Sequence, residues 1–275
     1  MSNWWISLGR HDRPSRGRVV ALPHAGGWPS AFASWRSSLP DDVELLVAQP
    51  PGHGARLSEK PLRRVEPMVA ELVEELSEHG DLPTVIVGHS AGSVLGYAMA
   101  RALEGLGRPP RLLVVSARQP PCFPDTAPFA HRRPDAELLE HLVMIGGVPA
   151  RLAERRELIA PILAAVRADL EAMETYGRPA TETAVPILAV GAADDPVVVT
   201  RRMPLWSLET TGEFRWELCE GGHFSFYEPE VTSRIIDRVL EVLPHGAETE
   251  TNRFRYSRKL SPATRQTYHT ENLHF

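Results

Sequence analysis

The pentapeptide Gly88-His89-Ser90-Ala91-Gly92 carries the strongest chemical signal in the chain. It follows a short apolar run, Val85-Ile86-Val87, and opens a helical pattern that continues to about Leu103. A serine on a sharp strand-to-helix turn presents its hydroxyl clear of the sheet. Glycines two residues to either side let strand and helix approach without Cβ clashes. A hydroxyl is a weak nucleophile until a base takes its proton. His223, in Gly221-Gly222-His223-Phe224, is the expected base. Among eleven histidines, it alone sits between the last strand pattern and the last helix pattern with glycines beside it. The imidazole needs a carboxylate to hold its tautomer. Asp194 and Asp195 both follow the strand pattern ending at Val190-Gly191, and Asp195 is preferred because Asp195-Pro196-Val197 reads as an acid-bearing turn. A tetrahedral oxyanion needs preorganised N–H donors. Ala91, directly after the serine, supplies one. Ala25, in the glycine-rich loop Pro23-His24-Ala25-Gly26-Gly27, supplies the other. These are the parts of acyl transfer through a covalent serine intermediate.

Such parts require a scaffold that brings distant stretches to one edge. Apolar strand-type runs occur at Val19–Leu22, Glu44–Ala48, Val85–Val87, Leu112–Val115, Pro186–Val190 and Phe214–Leu218. Helical patterns lie between them, at 28–39, from Pro67 to the stop at Gly80, and at 91–103, with a last one carrying Val231, Ile235, Ile236, Val239 and Leu240. Short, continuously apolar strands between amphipathic helices imply an α/β class with a mostly parallel sheet flanked by helices. With the serine turn and the order Ser, Asp, His, the expected architecture is the α/β-hydrolase fold. The alternation breaks between Pro120 and Ala180, where five prolines precede helical patterns at Leu138–Ile145 and Leu158–Tyr176. The expected organisation is a core of 1–119 and 181–244, with 120–180 as a helical lid over the carboxyl ends of the strands. The polar, aperiodic residues 245–275 are expected to be a disordered or loosely docked tail.

The totals narrow the class further. A formal net charge of −5 argues against a nucleic-acid binder. No window approaches the ~20 apolar residues that span a bilayer, and the N-terminus has no basic leader before an apolar run. Cys122 and Cys219 are the two cysteines; the sequence leaves their pairing open, but so few fit a reducing cytoplasm at least as well. Neither sits in a metal-ligand cluster, so no metal and no cofactor is expected. A cytoplasmic monomeric enzyme is the expectation. A non-catalytic binding protein built on the same fold is disfavoured by the intact set of nucleophile, base and acid.

Taken together, the chain resembles the type II thioesterases that accompany polyketide synthases and nonribosomal peptide synthetases. The resemblance spans about residues 18–243. It rests on Leu22 to Gly27, Gln49-Pro50-Pro51-Gly52, Gly88 to Gly92 and Gly221 to Phe224. Leu142 to Pro149, Val166 to Leu170 and Tyr176 add to it. Trp206, eleven residues after Asp195, matches the family's habit and supports that aspartate. Two departures stand out. Ala91 replaces the family's usual methionine, which implies a roomier acyl pocket, and Pro51-Gly52-His53-Gly54 replaces its usual Pro-Gly-Arg. The resemblance implies hydrolysis of acyl groups from the phosphopantetheine arm of an acyl or peptidyl carrier protein, clearing stalled or wrongly primed units. It also implies a mobile lid and a basic landing patch for an acidic carrier, with Arg132, Arg133, Arg151, Arg155, Arg156, Arg201 and Arg202 as candidates. The alternative is a carboxylesterase or lipase acting on free small esters.

Overall fold

Strands that are apolar on both faces need cover on both faces, and the computed structural model shows where it comes from. The structure describes residues 4–9, 14–125 and 128–245. Among these, seven strands form one sheet: β1 (Trp5–Ser7), β2 (Gly17–Leu22), β3 (Val43–Ala48), β4 (Thr84–His89), β5 (Leu112–Ser116), β6 (Ile187–Ala192) and β7 (Phe214–Cys219). Their order is β1-β3-β2-β4-β5-β6-β7. Only β1 is antiparallel to its neighbour. The α-helices are α1 (Ala33–Ser38), α2 (Val65–Glu78), α3 (Ala91–Gly105), α4 (Asp135–Met144), α5 (Ala150–Ala153), α6 (Arg156–Glu174) and α7 (Pro229–Val242).

Alternate strand residues serve opposite layers. Val20, Leu22, Leu46, Ile86, Leu113 and Val115 pack under α2 and α3. Val19, Ala21, Val47, Val85, Val87 and Val114 pack under α1 and α7. Each buried aliphatic side chain contributes about 1.5–3 kcal/mol, so both layers are needed to offset ordering the chain. Between β5 and β6, helices α4 to α6 build a smaller apolar cluster from Leu138, Leu142, Val148, Ile159, Leu163 and Val166.

Four features depart from the expected pattern. β1 is too short for a periodic signal; it forms because the Trp4 N–H donates to Glu75 at 2.7 Å and the Trp4 indole N–H to Glu71 at 2.8 Å, both on α2. The 28–39 helix is a 3-10 turn, Pro29–Phe32, that passes into α1. A ten-residue 3-10 helix, Thr200–Glu209, lies between β6 and β7, and buries Met203 and Trp206. The short α5 was not anticipated either. Residues 246–275, where the polar tail is expected, lie outside the described residues. No helix among the described residues is long and apolar enough to cross a membrane.

Candidate active site

β4 enters α3 through Ser90, whose φ of 53° is in the left-handed region. That conformation costs about 1–3 kcal/mol and persists only where the surroundings enforce it. The surroundings do so through backbone. A Cβ on Gly88 would stand 2.3 Å from Gly92 O, and one on Gly92 2.0 Å from Leu22 O. Neither position has room for a side chain. Ser93 pins the turn from below: its buried hydroxyl lies 3.0 Å from Gly88 O and 2.8 Å from Ser116 O, and accepts the Ser116 N–H at 3.0 Å. The Ser90 N–H donates to Ser116 O at 2.8 Å.

His223 arrives on the turn after β7. Its Nε2 is 3.2 Å from Ser90 Oγ, and its Nδ1 is 2.9 Å from Asp195 Oδ2 and 3.1 Å from Oδ1. The side chains of His223 and Asp195 are almost wholly shielded from solvent. Asp195 sits past the end of β6, and its Oδ1 also accepts the N–H groups of Val197 at 2.8 Å and Val198 at 3.1 Å. Burial pushes the Asp195 carboxyl up, but His223 and these two amides outweigh it and hold it below the usual carboxylate range. The ionised carboxylate accepts a hydrogen bond from Nδ1–H, which keeps the ring proton on Nδ1 and leaves Nε2 as an acceptor facing the hydroxyl. Asp194 is exposed, and its N–H donates to Gly221 O at 2.9 Å.

The loop after β2 lies against the elbow, since a Cβ at Gly92 would also stand 2.6 Å from Pro23 O. His24, Ala25 and Gly26 line the same cleft as Ser90 and His223. Among the described residues the Ala25 N–H has no acceptor. The Ala91 N–H opens α3, where an amide has no intrahelical partner. The cleft measures about 980 Å³ including its open mouth, and Leu142, Ile145, Val148, Ile162, Val166 and Leu170 form its apolar wall. Ala91 also faces a second, largely apolar pocket lined by Val65, Met68, Leu95, Ala172 and Met173.

Two more histidines crowd this site. The ring of His89 is fully buried 5.4 Å from that of His223 and stacks on Phe226 at 5.1 Å. Neither of its nitrogens has a partner among the described residues. Burial, then the charge of His223, holds His89 well below the ordinary histidine value. The same causes lower His24 to about 4, while its Nδ1 sits 3.1 Å from the Tyr227 hydroxyl. Both rings are therefore neutral in the folded protein at neutral pH. The unfolded chain protonates His24 below the ordinary value of 6.5, and the folded chain refuses that proton until about 4; His89 is shifted in the same direction. Stability is whole above that ordinary value and drains as the pH falls. His24 alone accounts for up to about 3 kcal/mol, reduced by water reaching its cleft-facing edge. Urea midpoints at neutral pH and in mild acid check this: a clear fall is expected, and an unchanged midpoint contradicts it.

Sequence reasoning missed Ser93 and Asp169. Ser93 lies three residues past Ser90 and carries no motif of its own. Asp169 has no local signal beyond its place in the Val166–Leu170 stretch, yet its carboxylate accepts the Gly26 N–H in the loop after β2. Of the candidate landing arginines, Arg132 stacks on Phe129 and Arg202 on Phe123. Arg151, Arg155 and Arg201 are exposed, and the backbone carbonyl of Arg133 accepts from Arg167 at 2.8 Å. The side chain of Arg156 lies outside the described residues. No cluster of three or more potential metal ligands occurs among the described residues.

A model of the Thioesterase domain family matches residues 17–241. The thioesterase PikA5 of Streptomyces venezuelae is 33% identical over 254 residues, covering 87% of this chain and 86% of PikA5. Among solved structures, the type II thioesterase BorB from the borrelidin biosynthetic cluster is 32% identical with a TM-score of 0.77, covering 88% of this chain and 98% of BorB. YbtT, the type II thioesterase of the yersiniabactin NRPS/PKS pathway, is 26% identical with a TM-score of 0.78 at the same coverage, 88% and 98%. The parallel sheet with its helical layers is the α/β-hydrolase fold of these proteins. The chain belongs to the thioesterase family, with the type II thioesterases of polyketide and nonribosomal peptide biosynthesis.

Proposed function

We propose that this chain is a serine thioesterase that hydrolyses acyl groups from the phosphopantetheine arm of a carrier protein, clearing stalled or wrongly primed units from an assembly line. The observation that carries this is the hydrogen-bonded file from Asp195 through His223 to Ser90, beneath a helical cover, in a chain of this family. Ser90 Oγ attacks the thioester carbonyl while His223 Nε2 takes its proton, and Asp195 stabilises the imidazolium that forms. The carbonyl oxygen rests on the N–H groups of Ala25 and Ala91. The C–S bond breaks, and the imidazolium returns its proton to the leaving thiolate. Water then attacks the acyl-serine, giving its proton to His223, and the Ser90 oxygen leaves with that proton. The acid product is released and the enzyme is restored.

Residues 120–180 serve as the lid in this account, because α4 and α6 supply the apolar wall over Ser90. The exposed Arg151, Arg155 and Arg201 support a landing surface for an acidic carrier protein. Both cysteines are unpaired, which supports a cytoplasmic setting, and we take the working form to be a monomer that meets its carrier in trans.

Rates on one acyl group presented as acyl-carrier protein, acyl-coenzyme A and a simple ester test the substrate. The carrier-bound thioester is expected to give the highest kcat/KM. A higher value on the simple ester makes the enzyme a carboxylesterase instead.

A further inference from the structure

Helix α6 reaches into the loop that carries Ala25. Asp169 is buried, and its Oδ2 accepts the Gly26 N–H at 2.7 Å. The same oxygen lies 2.8 Å from Nε2 of His53, a residue with 2% of its surface exposed. The other ring nitrogen, Nδ1, lies 3.1 Å from Pro51 O. Both nitrogens of His53 thus face acceptors. A neutral imidazole has one N–H, so only the imidazolium satisfies both contacts. One turn earlier on α6, Val166 closes the other side of the loop: a Cβ at Gly26, where φ is +71°, would stand 2.3 Å from its Cγ2. The amide that follows Ala25 is therefore fixed by a buried ion pair and a packed valine, both from the helical segment or gripping it.

We propose that Asp169, clamped by protonated His53, is a positioning residue that holds the Ala25 N–H in register with Ser90 and ties the oxyanion loop to helix α6. The inference rests on the proposed function, in which Ala25 receives the oxyanion. Losing the His53 proton strands Asp169 as a buried, uncompensated charge and loosens the loop. The ionisable groups around His53 are Asp169 on α6 and His24 on the loop. His24 is held neutral at neutral pH, so Asp169 governs. Burial pushes the His53 ring down, but the Asp169 charge and hydrogen bond outweigh it and raise it above the ordinary histidine value. Activity then has an alkaline limb above the ordinary histidine range, which the Ser90, His223 and Asp195 set does not itself produce.

Asp169→Ala and Asp169→Asn separate this from a merely structural role. An asparagine whose oxygen takes the Oδ2 position still accepts the Gly26 N–H and an Nε2–H from a neutral His53, so the pair carries no buried charge and no imidazolium is needed. We expect Asp169→Ala to lower kcat by about 100-fold, as misplaced reacting groups do, with KM within about threefold. Asp169→Asn should recover most of that kcat and lose the alkaline limb seen in the unmodified enzyme. Unchanged kcat in a folded Asp169→Ala protein overturns the proposal. If that variant does not fold, an alkaline limb in Asp169→Asn identical to that of the unmodified enzyme overturns it. Ser90→Ala, run alongside, keeps the two ideas apart: turnover retained there removes the active-site reading itself, whereas an inactive Ser90→Ala beside a fully active Asp169→Ala removes this inference alone.

Discussion

Replacing Ser90 by alanine is expected to cut thioester turnover by about a millionfold while leaving the fold intact. The size follows from cooperation. Without the hydroxyl, the base has no proton to take, and the acid holds a tautomer that serves nothing. Removing the nucleophile of such a set therefore costs about as much as removing every member. What survives is the smaller acceleration from binding and from the amide donors. The fold should tolerate the change because Ser90 already occupies φ 53°, and alanine meets the same steric cost there as serine. The elbow is held by the Ser93 hydroxyl and by the two close glycine approaches, none of which uses Ser90 Oγ. One hydrogen bond, to His223 Nε2, is lost, worth about 1 kcal/mol or less. Single-turnover assays and a urea titration check both halves together.

Asp195→Asn is expected to lower kcat by about ten-thousandfold, and Asp194→Asn by less than about twofold. The contrast comes from where the hydrogen bonds are anchored. Oδ1 of Asp195 receives two backbone N–H groups, so an asparagine there must place its carbonyl oxygen at Oδ1. Its NH₂ then occupies the Oδ2 position, 2.9 Å from His223 Nδ1. A donor facing Nδ1 forces the ring proton onto Nε2, where it faces Ser90 and blocks proton transfer. The packing scarcely changes, so stability and substrate KM should move little while kcat collapses. Asp194 is exposed and contributes its backbone N–H, which asparagine retains. Equal losses in the two variants contradict this assignment.

Much of this architecture was legible in the sequence for a physical reason. Six of the strands are buried on both faces or carry an apolar face, and the doubly covered ones read as unbroken apolar runs. The helices α2, α3 and α7 show one apolar stripe each. Ser90, His223 and Asp195 were legible because each stands at the carboxyl end of a strand pattern, where parallel sheets place their loops. In the structure their side chains meet within hydrogen-bond distance. What escaped has no period. β1 has three residues, and Trp4 beside it is held by glutamates 67 and 71 positions away. The Thr200–Glu209 segment is a 3-10 helix carrying a proline, so its apolar spacing matches neither template. Asp169 and His53 are 116 residues apart, and nothing local marks either as half of a buried pair. The departure at Pro51-Gly52-His53 shows in sequence, yet only the fold reveals what the imidazole holds.

The proposed mechanism rests on Ser90 as a hydroxyl activated by His223. A fluorophosphonate probe reacts with such a serine and leaves a covalent adduct. Intact mass followed by peptide mapping is predicted to show one adduct per chain, on the peptide containing Ser90, absent from Ser90→Ala and formed far more slowly in His223→Ala. A folded, unmodified chain that stays unlabelled, or an adduct that maps to any other residue, contradicts it.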